Sequence, residues 1–301
     1  MRLSIILPAL GPQSEFDNTL VSVLENRPAS TEVVVPHTQE YQDPYNLSDE
    51  VRFVEANSDQ PLHLLNIGIE ASQGVLIHSL QSGMEATPGW TQSVFELFDA
   101  EPELAALAPS IQADSRSPIA GIRYQAGGTG KSVRVKRRQT AKPDGPCLEA
   151  GFFRASTLAA IGPFDEKLAV HHANADTAAR LKRLELRTDH ASDCLIQGCI
   201  PSRPAGFRSS QQIERVYHRH RGAMGSVVSL QHLLTVAANV TRHGPSFGVV
   251  TAMFGHCFGT VQSRLSQSTG WDPNDLASET IPYPEQTDQP DPPAHHYRRS
   301  A

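Results

Sequence analysis

Residues 66–90 read NIGIEASQGVLIHSLQSGMEATPGW, and this stretch decides the fold. The apolar residues over 62–71 have helical spacing, and the helix is expected to end near Gly74. Residues 75–80, VLIHSL, then form a mostly apolar run of strand length. A helix that leads through a glycine into a buried strand is the repeating unit of α/β proteins. The stretch therefore predicts an α/β fold.

The preceding and following segments continue the same alternation. Further strands are predicted over 3–7, 32–35, 51–54 and 104–109, and further helices over 16–24 and 90–98. This order predicts a parallel sheet with right-handed crossovers. Ligands of such sheets bind at the carboxyl ends of the strands. Pro8, Pro36 and Gln81 lie at predicted strand ends, so we expect them to line one crevice.

Three blocks of the sequence, in the right order, resemble family 2 glycosyltransferases of the GT-A fold. They are residues 66–90, residues 145–168 (GPCLEAGFFRASTLAAIGPFDEKL) and residues 175–187 (ADTAARLKRLELR), and LSIILPA resembles the family's first strand. The matching positions are Asn66, Gly68, Gly74, Pro88, Gly89, Trp90, Gly151, Arg154, Gly162, Phe164, Asp165, Glu166, Asp176, Arg180 and Leu181. The resemblance covers roughly residues 3–194 and implies a GT-A-like, mostly parallel sheet flanked by helices. The alternative is another doubly wound α/β protein with chance matches.

The resemblance also implies a site. A UDP- or GDP-linked nucleotide sugar would be the donor, and a glycan or polysaccharide the acceptor. The implied nucleotide-sugar site consists of Pro8, Ala9, Pro36, His37, Asn66, Gly68, Gln81 and Gly83. Gly151 and Arg154 are implied on the acceptor side. In the family an Asp-x-Asp turn holds Mn²⁺ or Mg²⁺ against the diphosphate, and a further carboxylate deprotonates the acceptor hydroxyl.

This sequence departs from the family where the chemistry is performed. Gln81 and Gly83 occupy the Asp-x-Asp positions, and Ala173 and Asn174 occupy the acid–base positions. Pro36 and His37 likewise stand where the family has an aspartate. An amide cannot accept a proton at neutral pH, and a glycine offers no ligand. We therefore expect no Asp-x-Asp metal site and impaired metal-dependent transfer.

Neighbouring residues could restore part of this chemistry. Glu85 could supply a metal ligand, in which case Mn²⁺ or Mg²⁺ would bind, and Asp176 could be displaced into the base role at Asn174. A histidine could also act as the base, and the candidates are His78, His171 and His172. The alternatives are a solvated turn for Glu85 and a charge that satisfies the helix dipole for Asp176.

A glycine-rich basic segment follows the predicted sheet. Residues 127–132 read GGTGKS, but Gln125 stands where a phosphate loop requires its first glycine. The basic run SVRVKRR, residues 132–138, is either a solvated loop or an electrostatic clamp for a diphosphate or an anionic polymer. We expect residues 116–145 to form a long loop or a β-hairpin.

Composition limits the class of protein. The 301 residues are 39% hydrophobic and 19% charged with a net charge of −6, which is typical of a globular protein without general affinity for nucleic acid or anionic lipid. The spacing of the four cysteines does not suggest a zinc site, and a short apolar run at the start does not resemble a signal peptide. We expect a cytoplasmic protein with free thiols and no transmembrane segment.

The expected domains are a GT-A-like domain over 1–210, a helical extension over 211–268 and a disordered tail over 269–301.

Two functions remain open. The first is a family 2-like protein that binds a nucleotide sugar or glycan and is impaired in metal-dependent transfer, which would make it a weak enzyme or a pseudoenzyme. The second is a non-catalytic scaffold that keeps only the GT-A fold. The scaffold hypothesis predicts a blocked crevice and an exposed apolar patch.

Overall fold

The computed structural model describes residues 2–39, 41, 43–113, 117–135, 142–201, 205–221, 227–241 and 247–265. Within these residues a sheet of ten strands forms the centre of the fold. The strands are β1 (Leu3–Ile6), β2 (Thr31–His37), β3 (Arg52–Glu55), β4 (Leu76–Ser79), β5 (Glu85–Ala86), β6 (Leu104–Gln112), β7 (Ile119–Gln125), β8 (Thr129–Arg134), β9 (Phe152–Arg154) and β10 (Arg187–Gln197).

The described residues also form eight helices, which flank the sheet or follow it. They are α1 (Gln13–Asn26), α2 (Pro61–Ala71), α3 (Gln92–Ala100), α4 (Ala155–Ile161), α5 (Val170–Arg183), α6 (Phe207–His220), α7 (Val227–Thr241) and α8 (Phe247–Leu265). No helix in the described part of the chain is long and apolar enough to cross a membrane.

The strand order is β3-β2-β1-β4-β9-β6-β10-β5, and a β7–β8 hairpin pairs with β6. Strands β3, β2, β1 and β4 are parallel to one another, as are β6 and β10. This confirms the predicted mixed α/β fold. Strand β9 is antiparallel to both β4 and β6. The direction of β9 could not be predicted, because a strand of three residues carries no pattern that encodes orientation.

The parallel half of the sheet is positioned by close packing. All four residues of β1 are buried, as expected for a central parallel strand that is covered on both faces. Helix α2 crosses β1 at Gly68, where an added Cβ would collide with the side chain of Ile6 and lie 3.1 Å from Pro36. Gly68 is therefore needed for the approach of α2 to the sheet.

Helices α6, α7 and α8 follow the last strand, over the part of the chain where the helical extension was predicted. Helix α6 begins at Phe207, so the predicted boundary at residue 211 falls inside it. Residues Met1–Ser268 form one compact unit. The predicted tail over 269–301 lies outside the described residues.

Candidate nucleotide-sugar site

A cavity of about 1140 Å³ opens at the carboxyl ends of β1 and β4. Pro8 follows β1 and Gln81 follows β4, and both line the cavity. The remaining walls come from Glu149, the segment that enters α5, and the first turns of α6. The cavity thus lies at the edge of the sheet where ligands of parallel strands bind.

The turn after β4 receives a carboxylate from another element. Gly83 adopts φ of +83°, and its N–H donates a hydrogen bond of 2.9 Å to the hydroxyl of Thr19. A Cβ at position 83 would lie 3.4 Å from Oε2 of Glu15, a residue of α1 that also lines the cavity. A carboxylate of α1 therefore occupies the space into which a side chain at position 83 would point.

A second carboxylate, Glu149, lies at the floor of the cavity. Its carbonyl oxygen accepts a 2.9 Å hydrogen bond from the N–H of Gln81, and its Oε2 accepts one of 2.8 Å from Nδ2 of Asn174. Only 2% of Glu149 is exposed. Burial raises the pKa of Glu149, and the hydrogen bond from Asn174 offsets this only in part. A carboxylate with a raised pKa is suited to accept a proton near neutral pH.

Positive charge and two helix N-termini face the same space. Lys167 and Arg208 line the cavity, as do the first residues of α5 and α6. The N-cap residues Ala169 and Gly206 make no side-chain capping hydrogen bond. Backbone N–H groups and the helix dipole attract anions at a helix N-terminus. The carboxylates of Glu15, Glu149 and Glu166 line the same cavity.

Asn66 lies outside this cavity, contrary to expectation. Its Oδ1 accepts a 2.9 Å hydrogen bond from the N–H of Phe164, and its Nδ2 donates one of 2.9 Å to the carbonyl oxygen of Phe164. It lines a separate cavity of about 460 Å³ between α2 and α4. Asn66 thus joins α2 to the segment before α5, and Gly68 serves the packing of α2.

The end of β2 also lies apart from the cavity. The ring of His37 packs against Tyr41 and Phe53, and its Nδ1 donates to the carbonyl oxygen of Thr38. Pro36 contacts the Gly68 region, and its carbonyl oxygen accepts from the N–H of Ala9. Pro36, His37 and Ala9 are therefore not among the residues that line the cavity.

The two acceptor-side residues have structural contacts. Arg154 donates to the carbonyl oxygens of Leu104 and Phe98, which ties β9 to the end of α3. Gly151 donates its N–H to the hydroxyl of Ser79, and an added Cβ there would lie 2.9 Å from the carbonyl oxygen of Cys147. Neither residue lines the cavity.

Asp176 is held by ion pairs rather than directed into the cavity. Arg180 lies 2.7 Å from its carboxylate, and Arg219 and His220 of α6 each lie 2.9 Å away. Burial alone would raise the pKa of Asp176, but these partners hold it well below its usual range. Asp176 therefore stays ionised, and its position does not suit the base role proposed for it.

The histidine candidates differ in their placement. His78 is fully buried and stacks on Phe152, and burial lowers its pKa to about 3. His172 is buried, with Nε2 3.1 Å from the hydroxyl of Ser209. Of the three, His171 lines the cavity.

The glycine-rich segment forms the turn of the β7–β8 hairpin, as one of the two sequence interpretations predicted. The carbonyl oxygen of Gly127 accepts a 3.0 Å hydrogen bond from Nδ1 of His232, and a Cβ at Gly127 would collide with Thr235 of α7. The turn thus packs against a helix and offers no phosphate cradle. Residues 136–138 of the basic run lie outside the described residues.

The residues present do not fit an Asp-x-Asp cation site. Glu15 and Glu149 are the carboxylates nearest the altered turn, and Glu85 is exposed in β5, paired with β10. Across the described ranges no group of three or more His, Cys, Asp or Glu side chains is arranged to hold a metal ion. Divalent cations require several oxygen ligands.

Sequence reasoning missed Glu15 and Glu149. Glu149 stands inside the quoted block CLEAGFF, where a carboxylate among apolar residues was a visible signal. No pattern connected Glu15 to Gly83, because the two lie on different elements.

Solved structures with a similar fold are glycosyltransferases. GalNAc-T7 with UDP, GalNAc and Mn²⁺ matches with a TM-score of 0.57 at 12% identity, over 81% of this chain and 58% of that chain. S. aureus TarS matches with a TM-score of 0.54 at 12% identity, over 82% of this chain and 44% of that chain. A TarS fragment, residues 1–349, in complex with UDP matches with a TM-score of 0.54 at 12% identity, over 82% of this chain and 73% of that chain.

These likenesses show that the chain has a GT-A fold, as the sequence analysis expected. The chain spans 58% of the length of GalNAc-T7 and 44% of that of TarS. No protein-family model matches the chain, and no curated protein is significantly similar to it in sequence.

Proposed function

We propose that this chain binds a nucleotide sugar in the cavity after β1 and β4, and that it does so without an Asp-x-Asp metal. The observation that carries the proposal is the composition of the cavity. Besides the carboxylates of Glu15, Glu149 and Glu166, the cavity is lined by Lys167, Arg208 and the N-termini of α5 and α6. Such positive groups can neutralise a diphosphate in place of a cation. The three sequence blocks support an origin in family 2.

The fold favours a uridine nucleotide as the first ligand to test. The structures of GalNAc-T7 and of the TarS fragment each contain UDP. Because identity to both is 12%, the fold alone is shared, and the ligand of this chain is an inference.

Glu149 is the group that we assign as base. In the proposed transfer Glu149 takes the proton of the acceptor hydroxyl, the hydroxyl oxygen bonds to the anomeric carbon, and the bond from that carbon to the diphosphate breaks. Asn174 positions the carboxylate through its 2.8 Å hydrogen bond. Asp176 is a weaker candidate because two arginines and a histidine already hold its oxygens.

Calorimetric titration with UDP and with GDP, in Mn²⁺ and in a chelator, tests the proposal. We expect UDP to bind equally in both conditions. Arg208→Gln should weaken binding by roughly tenfold, because a charge-assisted hydrogen bond contributes about 1.5–3 kcal/mol. Arg183→Gln is the matched control, since Arg183 is exposed on α5 and does not line the cavity.

Binding that requires Mn²⁺ would contradict the metal-independent site and would show that Glu15 and Glu149 hold a cation. Absence of binding to every nucleotide would favour the scaffold hypothesis. The scaffold hypothesis is supported by one observation, because α7 and α8 expose large apolar side chains. The open cavity argues against the scaffold hypothesis, which predicted a blocked crevice.

A further inference from the structure

Helices α7 and α8 are inverted relative to the usual pattern of a globular protein, in which the apolar side of a surface helix faces the core. In α8 the buried residues are small or polar: Ala252, Gly255, His256, Gly259 and Ser263. The large apolar residues of the same helix face outward: Phe247, Val250, Met253, Phe254, Phe258, Val261 and Leu265.

The inward face of α8 is fixed by close packing on α6. A Cβ at Gly259 would lie 2.9 Å from the Cα of Gln211, and one at Gly255 would collide with the backbone of Phe207. His256 donates from Nδ1 to the buried Glu214, 2.7 Å away. The polar and glycine face of α8 therefore cannot rotate outward.

Helix α7 shows the same inversion. His232 and Asn239 are buried, whereas Leu230, Leu233 and Leu234 are each more than 60% exposed. His232 lies 2.9 Å from Glu214, and Asn239 donates to the hydroxyl of Ser210 on α6. Helices α7 and α8 also pack on each other. The outward sides of α7 and α8 together expose ten large apolar side chains, here called the apolar face. Exposed apolar patches mark interaction surfaces.

Charge indicates what covers this apolar face. The chain contains 32 acidic residues, yet none occurs between Glu214 and Asp272. Five arginines remain in the same interval. Arg215 and Arg219 pair with Asp165, whereas Arg264 is exposed on α8 next to the exposed Leu265. An apolar helical face that has no acidic residue in its own helices and carries an exposed arginine complements the surface of an anionic bilayer.

We propose that the outward face of α7 and α8 binds the surface of an anionic lipid bilayer, with both helices lying in the plane of the interface. Gln262 of α8 lines the large cavity, next to the exposed Val261. A bilayer on this face would therefore lie beside the rim of the cavity. The proposal is independent of the ligand that the cavity takes.

Co-sedimentation of the full-length protein with lipid vesicles tests this inference. We expect binding to vesicles of phosphatidylcholine with phosphatidylglycerol, and weaker binding to phosphatidylcholine alone. The double variant Leu233→Ser, Phe254→Ser should bind at least roughly tenfold more weakly, because two large apolar side chains no longer enter the bilayer. Arg264→Gln should weaken binding to the anionic vesicles and should leave binding to the pure phosphatidylcholine vesicles unchanged.

Val75→Ser is the matched control, since Val75 is 62% exposed on the sheet domain, close to the 64% of Leu233 and the 66% of Phe254. It should bind as the unchanged protein does. An unaltered urea unfolding midpoint in each variant shows that the fold is retained. The proposal would be overturned by absence of binding to anionic vesicles, or by a double variant that binds normally. A dimer in sedimentation velocity that the double variant dissociates would also overturn it, in favour of a second copy.

Discussion

At the scale of single residues, Glu149 combines a cost in stability with a candidate chemical role. It is buried, and its pKa in the folded protein is raised above the unfolded value. Such a group lowers the free energy of unfolding as pH rises above the unfolded pKa, because ionisation is easier in the unfolded chain. Glutamine keeps the shape of the side chain and the acceptor for Asn174, and it removes the buried charge.

We therefore predict that Glu149→Gln is more stable and less active. The free energy of unfolding at pH 7 should rise by about 0.5–2 kcal/mol, which is typical of a stabilising substitution at a functional site. Release of UDP from a UDP-sugar in the presence of acceptor should fall by roughly a hundredfold or more, as expected for loss of a general base.

Urea unfolding and a nucleotide-release assay measure these two quantities. Glu166→Gln is the control, since Glu166 also lines the cavity but is exposed. A Glu149→Gln protein with undiminished turnover would remove Glu149 from the base role, whatever its stability.

The sequence predicted the position of the large cavity better than it predicted the residues that line it. Pro8 and Gln81 line the cavity because both follow parallel strands, which periodicity alone predicts. The carboxylates could not be assigned in the same way. The burial of Glu149 depends on Asn174 across two elements, and the approach of Glu15 to Gly83 depends on the packing of α1.

At the scale of elements, strong apolar patterns fixed the strands and helices of the parallel half of the sheet. The predicted helix over 62–71 corresponds to α2, which begins at Pro61. Helix α5 begins at Val170, six residues before Asp176, which is the first matching position of the block ADTAARLKRLELR. The residues before Asp176 include two histidines and an asparagine, and they carry neither a capping residue nor an apolar period that marks a start.

The link between α2 and the segment before α5 provides a prediction at this scale. Asn66→Ala should lower the free energy of unfolding by roughly 1–3 kcal/mol, because both hydrogen bonds to the backbone of Phe164 are lost. The affinity for UDP should not change, because Asn66 lies outside the large cavity. Urea unfolding and calorimetry measure the two effects. Loss of UDP binding at unchanged stability would instead support the family-based assignment of Asn66 to the nucleotide.

At the scale of the whole molecule, buried carboxylates attach α6 to the sheet domain. Asp165 pairs with Arg215 and Arg219, and Asp176 pairs with Arg180, Arg219 and His220. Burial raises the pKa of both carboxyls, but the arginines lower them below their usual values. Sequence patterns did not predict the pairs that involve α6, because their residues are 43 to 54 positions apart. Arg180 is four positions from Asp176 on α5 and does not contribute to this attachment. The attachment of the helical extension is therefore electrostatic as well as apolar.

This network makes stability depend on pH in a defined direction. A carboxyl whose folded pKa is lowered stabilises the protein above its unfolded pKa of about 4, and that contribution is lost as pH falls towards the folded pKa. We therefore expect the free energy of unfolding to fall below about pH 4, as Asp165, Asp176 and Glu214 gain protons. His78 adds an earlier decrease below about pH 6.5, because burial lowers its pKa to about 3 and the unfolded chain takes up that proton first.

The variant Asp176→Asn distinguishes the contribution of this ion-pair network to the pH dependence of stability from the contribution of the other titratable groups. At neutral pH the variant should lose roughly 3–5 kcal/mol, because buried arginines are left without their carboxylate. Its stability should also fall less steeply below pH 4 than that of the unchanged protein, since one of the linked protons is gone. Asp99→Asn is the control, because the Asp99–Arg2 pair is exposed and such pairs contribute little. Urea unfolding across this pH range measures both. If Asp176→Asn retained the full acid dependence, the linkage would have to come from other carboxyls, and α6 would be held to the sheet domain chiefly by apolar contacts.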